Sequence, residues 1–166
     1  MSKYTQNDNK ITSVCFTGHR EIDAAEAKYV PSLLKDIIRE LISRGATRFL
    51  AGGAMGFDTI AALCVLELKS EFPQIKLELI LPCKNQSARW NDRHRLVYDM
   101  ILERADRVEF LHESYTPACM HDRNRRLVDN ADLVVAYLVH SGGGTAYTVA
   151  YALQSGKELV NVYDFK

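Results

Sequence analysis

Short apolar runs that alternate with longer stretches of helical spacing constrain this chain most. Ser13 to Thr17 reads as a strand, ended by Gly18. Val30, Leu33, Leu34, Ile37, Ile38, Leu41 and Ile42 then keep the helical repeat, which buries one face of a helix. Pro31 suits its first turn and Gly45 its stop. Thr47 to Ala51 is a second strand, followed by a largely apolar helix from Gly56 to Phe72 that Pro73 stops. Ile75 to Leu81 is a third strand closed by Pro82, and a polar stretch from Lys84 to Arg95 surrounds Trp90. A helix from about Asp92 to Ala105 leads to a fourth strand, Arg107 to Leu111. Thr116 and Pro117 suit the cap and first position of a helix ending near Asn130. Leu133 to Leu138 is a fifth strand. Ala146, Val149, Ala150 and Leu153 mark a helix face that ends at Gly156, and Leu159 to Tyr163 is the last strand. This order calls for a three-layer α/β domain: a parallel sheet of about six strands, helices on both faces, right-handed crossovers. With no repeat or linker, residues 13–166 form one domain behind a polar N-terminal leader, 1–12.

Composition narrows the partners. The 21 basic and 21 acidic residues cancel to a formal charge of +0. A protein that grips long nucleic acid by its phosphates carries a basic excess, so nucleic acid is not an expected partner. Cys15, Cys64, Cys83 and Cys119 form no C-x-x-C pair and match no common zinc pattern, so no metal site is expected. Three of them lie in apolar runs or helical segments, as core thiols of a reducing compartment do. No apolar run reaches the roughly 20 residues of a membrane span, and the N-terminus lacks a signal-peptide core. A cytoplasmic protein with no membrane partner is expected.

In such a fold the turns at the strand carboxyl ends line the ligand crevice. Three of them are glycine-rich: Thr17-Gly18-His19-Arg20, Gly52-Gly53-Ala54-Met55-Gly56-Phe57-Asp58, and Ser141-Gly142-Gly143-Gly144-Thr145. The second and third open directly into helices. Glycines there let main-chain N–H groups approach an anion, and a helix start adds unpaired N–H groups and the positive dipole end. The competing reading is that each cluster only makes a tight turn. Neither a Walker A pattern nor G-x-G-x-x-G is present, which excludes a standard NTPase or dehydrogenase.

The side chains nearby carry paired readings. Arg20 suits either a phosphate or a solvated loop. His19 is read as structural before catalytic, although its turn belongs to the candidate site. Asp58 either caps the first turn of its helix or accepts ribose hydroxyls. Arg123, with Asn124, precedes Arg125 and Arg126, and three arginines so close on one helix cannot all face the site. Trp90, among Arg89, Arg93 and Arg95, either stacks on a base or anchors a loop. Arg123 and Asp58 are the catalytic candidates if a reaction occurs, with Asp129 as a further carboxylate that reads equally as a helix-end surface residue.

These motifs resemble the SLOG superfamily, which joins the Smf/DprA and LOG proteins, and are most similar to its YpsA-like bacterial branch. The resemblance spans Val14 to Val162. It rests on the first two glycine turns and on Met120, Arg123, Asn124, Leu127, Asp129, Ala131, Asp132 and Gly143-Gly144-Thr145. It implies a Rossmann-like fold and a site for a phosphorylated nucleotide or nucleotide-derived ligand, with no other cofactor indicated. In LOG-type phosphoribohydrolases, an arginine on the helix before the fifth strand and a glutamate after the glycine turn carry glycosidic cleavage. Arg123 matches that arginine in its Met-x-x-Arg spacing. Thr148 holds the place of the glutamate, and its hydroxyl cannot act as a carboxylate acid or base. Ser141 stands where the LOG proline precedes the glycines. Ligand binding or sensing is therefore the leading expectation. A nucleotide-processing enzyme acting on an N-glycosidic or phosphoester bond is the alternative, and DprA kinship implies single-stranded DNA binding as a third. LOG-like relatives also imply a homodimer.

Overall fold

The computed structural model describes residues 10–165, so most of the polar leader lies outside the described residues. Its last part is anchored: Ile11 is buried in the core, and the Thr12 and Ser13 N–H groups both donate to Asp132 Oδ2. Six parallel strands, β1 (Ser13–Gly18), β2 (Arg48–Ala51), β3 (Lys76–Cys83), β4 (Arg107–His112), β5 (Leu133–Tyr137) and β6 (Glu158–Asn161), form one sheet in the order β4-β3-β2-β1-β5-β6. The helices are α1 (Ala24–Ala27), α2 (Val30–Ser43), α3 (Phe57–Leu68), α4 (Asp92–Arg104), α5 (Cys119–Asp129) and α6 (Gly143–Gln154). This is the expected Rossmann-like three-layer architecture.

Strand alternation divides the core into two unequal parts. Val14 and Phe16 of β1, Phe49 and Ala51 of β2, Leu77, Leu79 and Leu81 of β3, and Val135 and Tyr137 of β5 point to one face. There they meet α2 through Leu34, Ile37, Ile38 and Leu41, and α3 through Phe57, Ala61 and Val65. Each Val, Leu, Ile or Phe among them, fully buried, contributes about 1.5–3 kcal/mol over its exposed state, so this thick face holds the domain together. Cys15, Leu50, Ile80 and Val134 point the other way, to a thinner cluster closed by Leu127 and Val128 of α5 and Ala152 of α6. All four cysteines are buried free thiols. Among the described residues, no helix is long and apolar enough to cross a membrane, and no three His, Cys, Asp or Glu side chains cluster to hold a metal.

Several sequence boundaries shift for local reasons. Pro82 lies inside β3 rather than closing it; β2 has ended at Ala51 opposite Leu79, so the missing N–H faces no neighbour there. Thr116 and Pro117 do not start α5, which begins at Cys119 with no side-chain cap. α3 stops at Leu68, before Pro73. β6 ends at Asn161 because its amide pairs with both the N–H and the C=O of Leu138, and a 3-10 turn, Val162–Phe165, replaces the rest of the expected strand. The buried face of α6 is Thr145, Thr148, Val149 and Ala152, whereas Ala150 and Leu153 are exposed. The four-residue α1 is too short to show helical spacing in the sequence.

Candidate functional site

The chain runs outward from β1 through β2 and β3 to β4, then returns to the other side of β1 as β5. The strand order therefore reverses between β1 and β5, where the loops leaving the two strands must diverge and leave a crevice. A cleft of about 270 Å³ occupies that point. Its walls are Thr17 to Arg20 after β1, His140 and Gly142 to Thr145 after β5, Met120, Arg123 and Asn124 of α5, and Ala54 and Asp58 at the start of α3.

The glycine turns play different parts here. Gly142, Gly143 and Gly144 all line the cleft, and no side chain caps the helix they open. A Cβ at Gly142 or Gly143 would meet nothing within 4 Å, and one at Gly144 only Asn124 Nδ2 at 3.8 Å. Gly52, Gly53 and Gly56 lie behind the cleft wall. A Cβ at Gly52 would strike Arg123 Nη1 at 2.6 Å, and one at Gly56 would run into the Arg20 backbone. Gly56 also holds φ +80°, a left-handed conformation that favours glycine. Two donors of this turn are already used: Ala54 N–H reaches Asp58 Oδ2 at 3.2 Å, and Phe57 N–H reaches His19 O at 3.1 Å. Asp58 thus serves as the anion of its own turn. Gly18 is packed as well, since a Cβ there would enter the Phe57 ring.

Two guanidiniums define the electrostatics. Arg123 is 5% exposed and is held entirely by neutral acceptors: Asn124 Oδ1 at 2.8 Å from Nε, Gly52 O from Nη1, and Met120 Sδ at 3.8 Å from Nη2. Burial works against its charge, with the Asp58 carboxyl as the leading compensation. The same burial pushes Asp58 up from the ordinary carboxylate range, opposed first by Arg123. Arg20 Nη2 also contacts the Met120 sulfur at 3.8 Å. Neither arginine has a carboxylate within ion-pair distance among the described residues. Their helix neighbours do: Arg125 pairs with Asp122 and Arg126 with Glu109. The three clustered arginines therefore separate into one inward and two solvated, in line with the expectation that they could not all face the site.

His19 Nε2 accepts from Val139 N–H at 2.9 Å and from His140 N–H at 3.5 Å, and the two imidazoles stack at 3.9 Å. Nε2 as acceptor requires the neutral ring, and burial with His140 nearby lowers the His19 pKa accordingly. His140 and Met120 border the cleft although neither stood among the expected ligand contacts. His140 adjoins the third glycine turn, and Met120 stood in the Met-x-x-Arg pattern, so position in the chain pointed to both. Thr148 is 1% exposed and donates to Gly144 O at 2.8 Å, a buried brace under the open turn. Asp129 lies outside the cleft at the end of α5, bonded by Tyr151 Oη at 2.7 Å, which is the helix-end alternative read from the sequence. Trp90 packs edge-on to Tyr98 at 5.1 Å and borders a neighbouring cavity instead of this one.

The family model described as the YspA SLOG family matches residues 14–164. The chain belongs to that family. A UPF0398 protein of Listeria monocytogenes is 31% identical over 161 residues, covering 91% of this chain and 88% of its own length. The SPbeta prophage-derived protein YoqJ of Bacillus subtilis is 32% identical over 129 residues, covering 70% of this chain and 75% of YoqJ. Among solved structures, DNA processing protein A (DprA) of Streptococcus pneumoniae superposes with a TM-score of 0.66 at 18% identity over 90% of this chain. DprA of Helicobacter pylori, in a structure concerned with its single-stranded DNA binding mode, gives 0.61 at 18% identity over 89%. The chain spans 50% and 63% of those two proteins, and at such identity the likeness establishes the shared fold.

Proposed function

We propose that this protein binds a phosphorylated, nucleotide-derived ligand in the β1–β5 cleft, with a phosphate on the open Gly142–Thr145 turn. One observation carries the reading: Arg20 and Arg123 line the same cleft as an uncapped helix start, and among the described residues neither has a carboxylate within ion-pair distance. A buried guanidinium keeps its charge, and an anion between it and the turn N–H groups lowers the cost of burying it. Asp58, with one oxygen tied to Ala54, keeps the other for ribose hydroxyls.

Binding without cleavage fits the cleft better than hydrolysis. Thr148 is locked to Gly144 O, and Asp58 is the lone carboxyl on the wall, whereas glycosidic hydrolysis generally draws on a pair. Calorimetry with a panel of nucleoside monophosphates tests the reading. Gly144→Asp places a negative charge on the open turn with room for its side chain, so it is expected to weaken binding at least about tenfold, as is Arg20→Ala. Failure of every member of the panel to bind, or a Gly144→Asp affinity equal to that of the wild type, would sink the proposal. Release of free base that disappears in Arg123→Ala would instead support a processing enzyme.

A single-stranded DNA reading draws on the DprA likeness and counters the expectation taken from net charge. The basic residues near Trp90 favour it only in part, because Arg95 is occupied by the Trp90 carbonyl at 2.8 Å. A salt-sensitive mobility shift with a single-stranded oligonucleotide is its signature.

A further inference from the structure

A second cavity, of about 420 Å³, lies beside the cleft, between the loop after β3 and the loop after β4. Met120 borders both spaces and forms the wall between them. That wall is an unbranched thioether held by two weak contacts to Arg20 and Arg123, the kind of side chain that changes rotamer readily. Gln86, which lines the second cavity, donates from Nε2 to Gly53 O at 3.1 Å behind the cleft wall. Small-molecule pockets generally measure about 300–1,000 Å³. The cleft alone falls just below that range, and with the second cavity it falls well inside.

The lining of the second cavity differs from that of the first. Trp90 and the 61% exposed Tyr115 offer ring surfaces, Cys83 and Ala88 are apolar, and the exposed Asn85 amide suits the edge of a base. Arg89 stands at the rim with no ion-pair partner among the described residues. Tyr115 N–H donates to Asn85 Oδ1 at 3.1 Å, which ties the two loops into one wall.

We propose that this cavity is a second subsite, continuous with the cleft across Met120, for the base of a ligand built from two nucleoside units joined through phosphate. The proposal rests on the phosphate reading above: the bridging phosphates lie between Arg20, Arg123 and the open turn, one nucleoside stays in the cleft, and the other base stacks at Trp90 and Tyr115. Base stacking on an aromatic ring strengthens binding about tenfold.

Trp90 is the only tryptophan of the chain, so its emission reports on this subsite alone. Fluorescence titrations would compare AMP, diadenosine diphosphate and a single-stranded oligodeoxyadenylate. Diadenosine diphosphate is expected to quench Trp90 and to bind about tenfold more tightly than AMP. Arg89→Ala and Tyr115→Ala, at exposed positions that the fold does not need, are expected to bring its affinity down to that of AMP. If AMP binds and diadenosine diphosphate binds no better, or binds without changing Trp90 emission, the second subsite is wrong and the phosphate reading stands. AMP quenching Trp90 as strongly as the larger ligand would also overturn it, by placing a single unit there. Tighter binding of the oligonucleotide than of diadenosine diphosphate overturns it in favour of a polymer. If no probe binds, the phosphate reading itself has failed.

Discussion

Two glycine turns of similar composition have opposite environments in this protein. The turn after β2 is full: Arg123, Leu81 and the Arg20 backbone occupy the space above its glycines, and Asp58 and His19 O take two of its N–H groups. The turn after β5 is empty: little stands above its glycines and no side chain caps its helix. The same residue type thus serves close packing in one place and ligand access in the other. The glycine pattern records that a backbone must be approached closely; what approaches it is decided by the neighbouring elements.

The contrast predicts a graded series. Gly56→Ala combines a left-handed backbone with a collision against Arg20, and is expected to cost about 3 kcal/mol, seen as a lower urea midpoint. A loss below 1 kcal/mol would mean that the filled turn yields easily. Asp58→Ala leaves the Ala54 N–H without its acceptor and Arg123 without its nearest compensating charge, at about 2 kcal/mol in the same measurement. Gly143→Ala meets no neighbour but carries φ +90°, so conformational strain alone should cost about 1 kcal/mol. Gly142→Ala, in open space at φ -102°, should stay within about 0.5 kcal/mol of the wild type. Equal losses at Gly56 and Gly142 would erase the distinction between the turns.

The smallest effect concerns pH. His19 has a lowered pKa in the folded state because burial and His140 oppose its proton, and the neutral ring holds Val139 N–H. The contribution of this contact is therefore complete above the unfolded histidine value of about 6.5 and is lost as the pH falls below it. Faster amide exchange at Val139 and His140 between pH 7.5 and 5.5, after correction for intrinsic rates, is the expected signature. His19→Ala should abolish that pH dependence; its persistence would locate the titrating group elsewhere.

Much of this fold was legible because strand alternation and helical spacing are local. Val14 and Phe16 against Cys15, or Leu34 and Ile38 on α2, sort to their faces by period alone. Three arginines sharing one helix could not all face inward, and the Met-x-x-Arg resemblance singled out Arg123. The difference between the turns was not legible, because the occupants of the full one come from α5, β3 and the first loop. The rotated face of α6 was hidden by Thr145 and Thr148, polar residues buried where hydrophobic spacing gives no signal. The partition by Met120 likewise exists only once α5 lies across the ends of two loops.

The Phe57–His19 bond and the Gly56–Arg20 contact have an engineering consequence. They weld the first loop to the start of α3, so neither segment can be lengthened or exchanged without the other. Gly142 and Gly143, by contrast, have open space beside them. Substitutions at those two positions should alter what the protein accepts while the frame beneath them goes on folding.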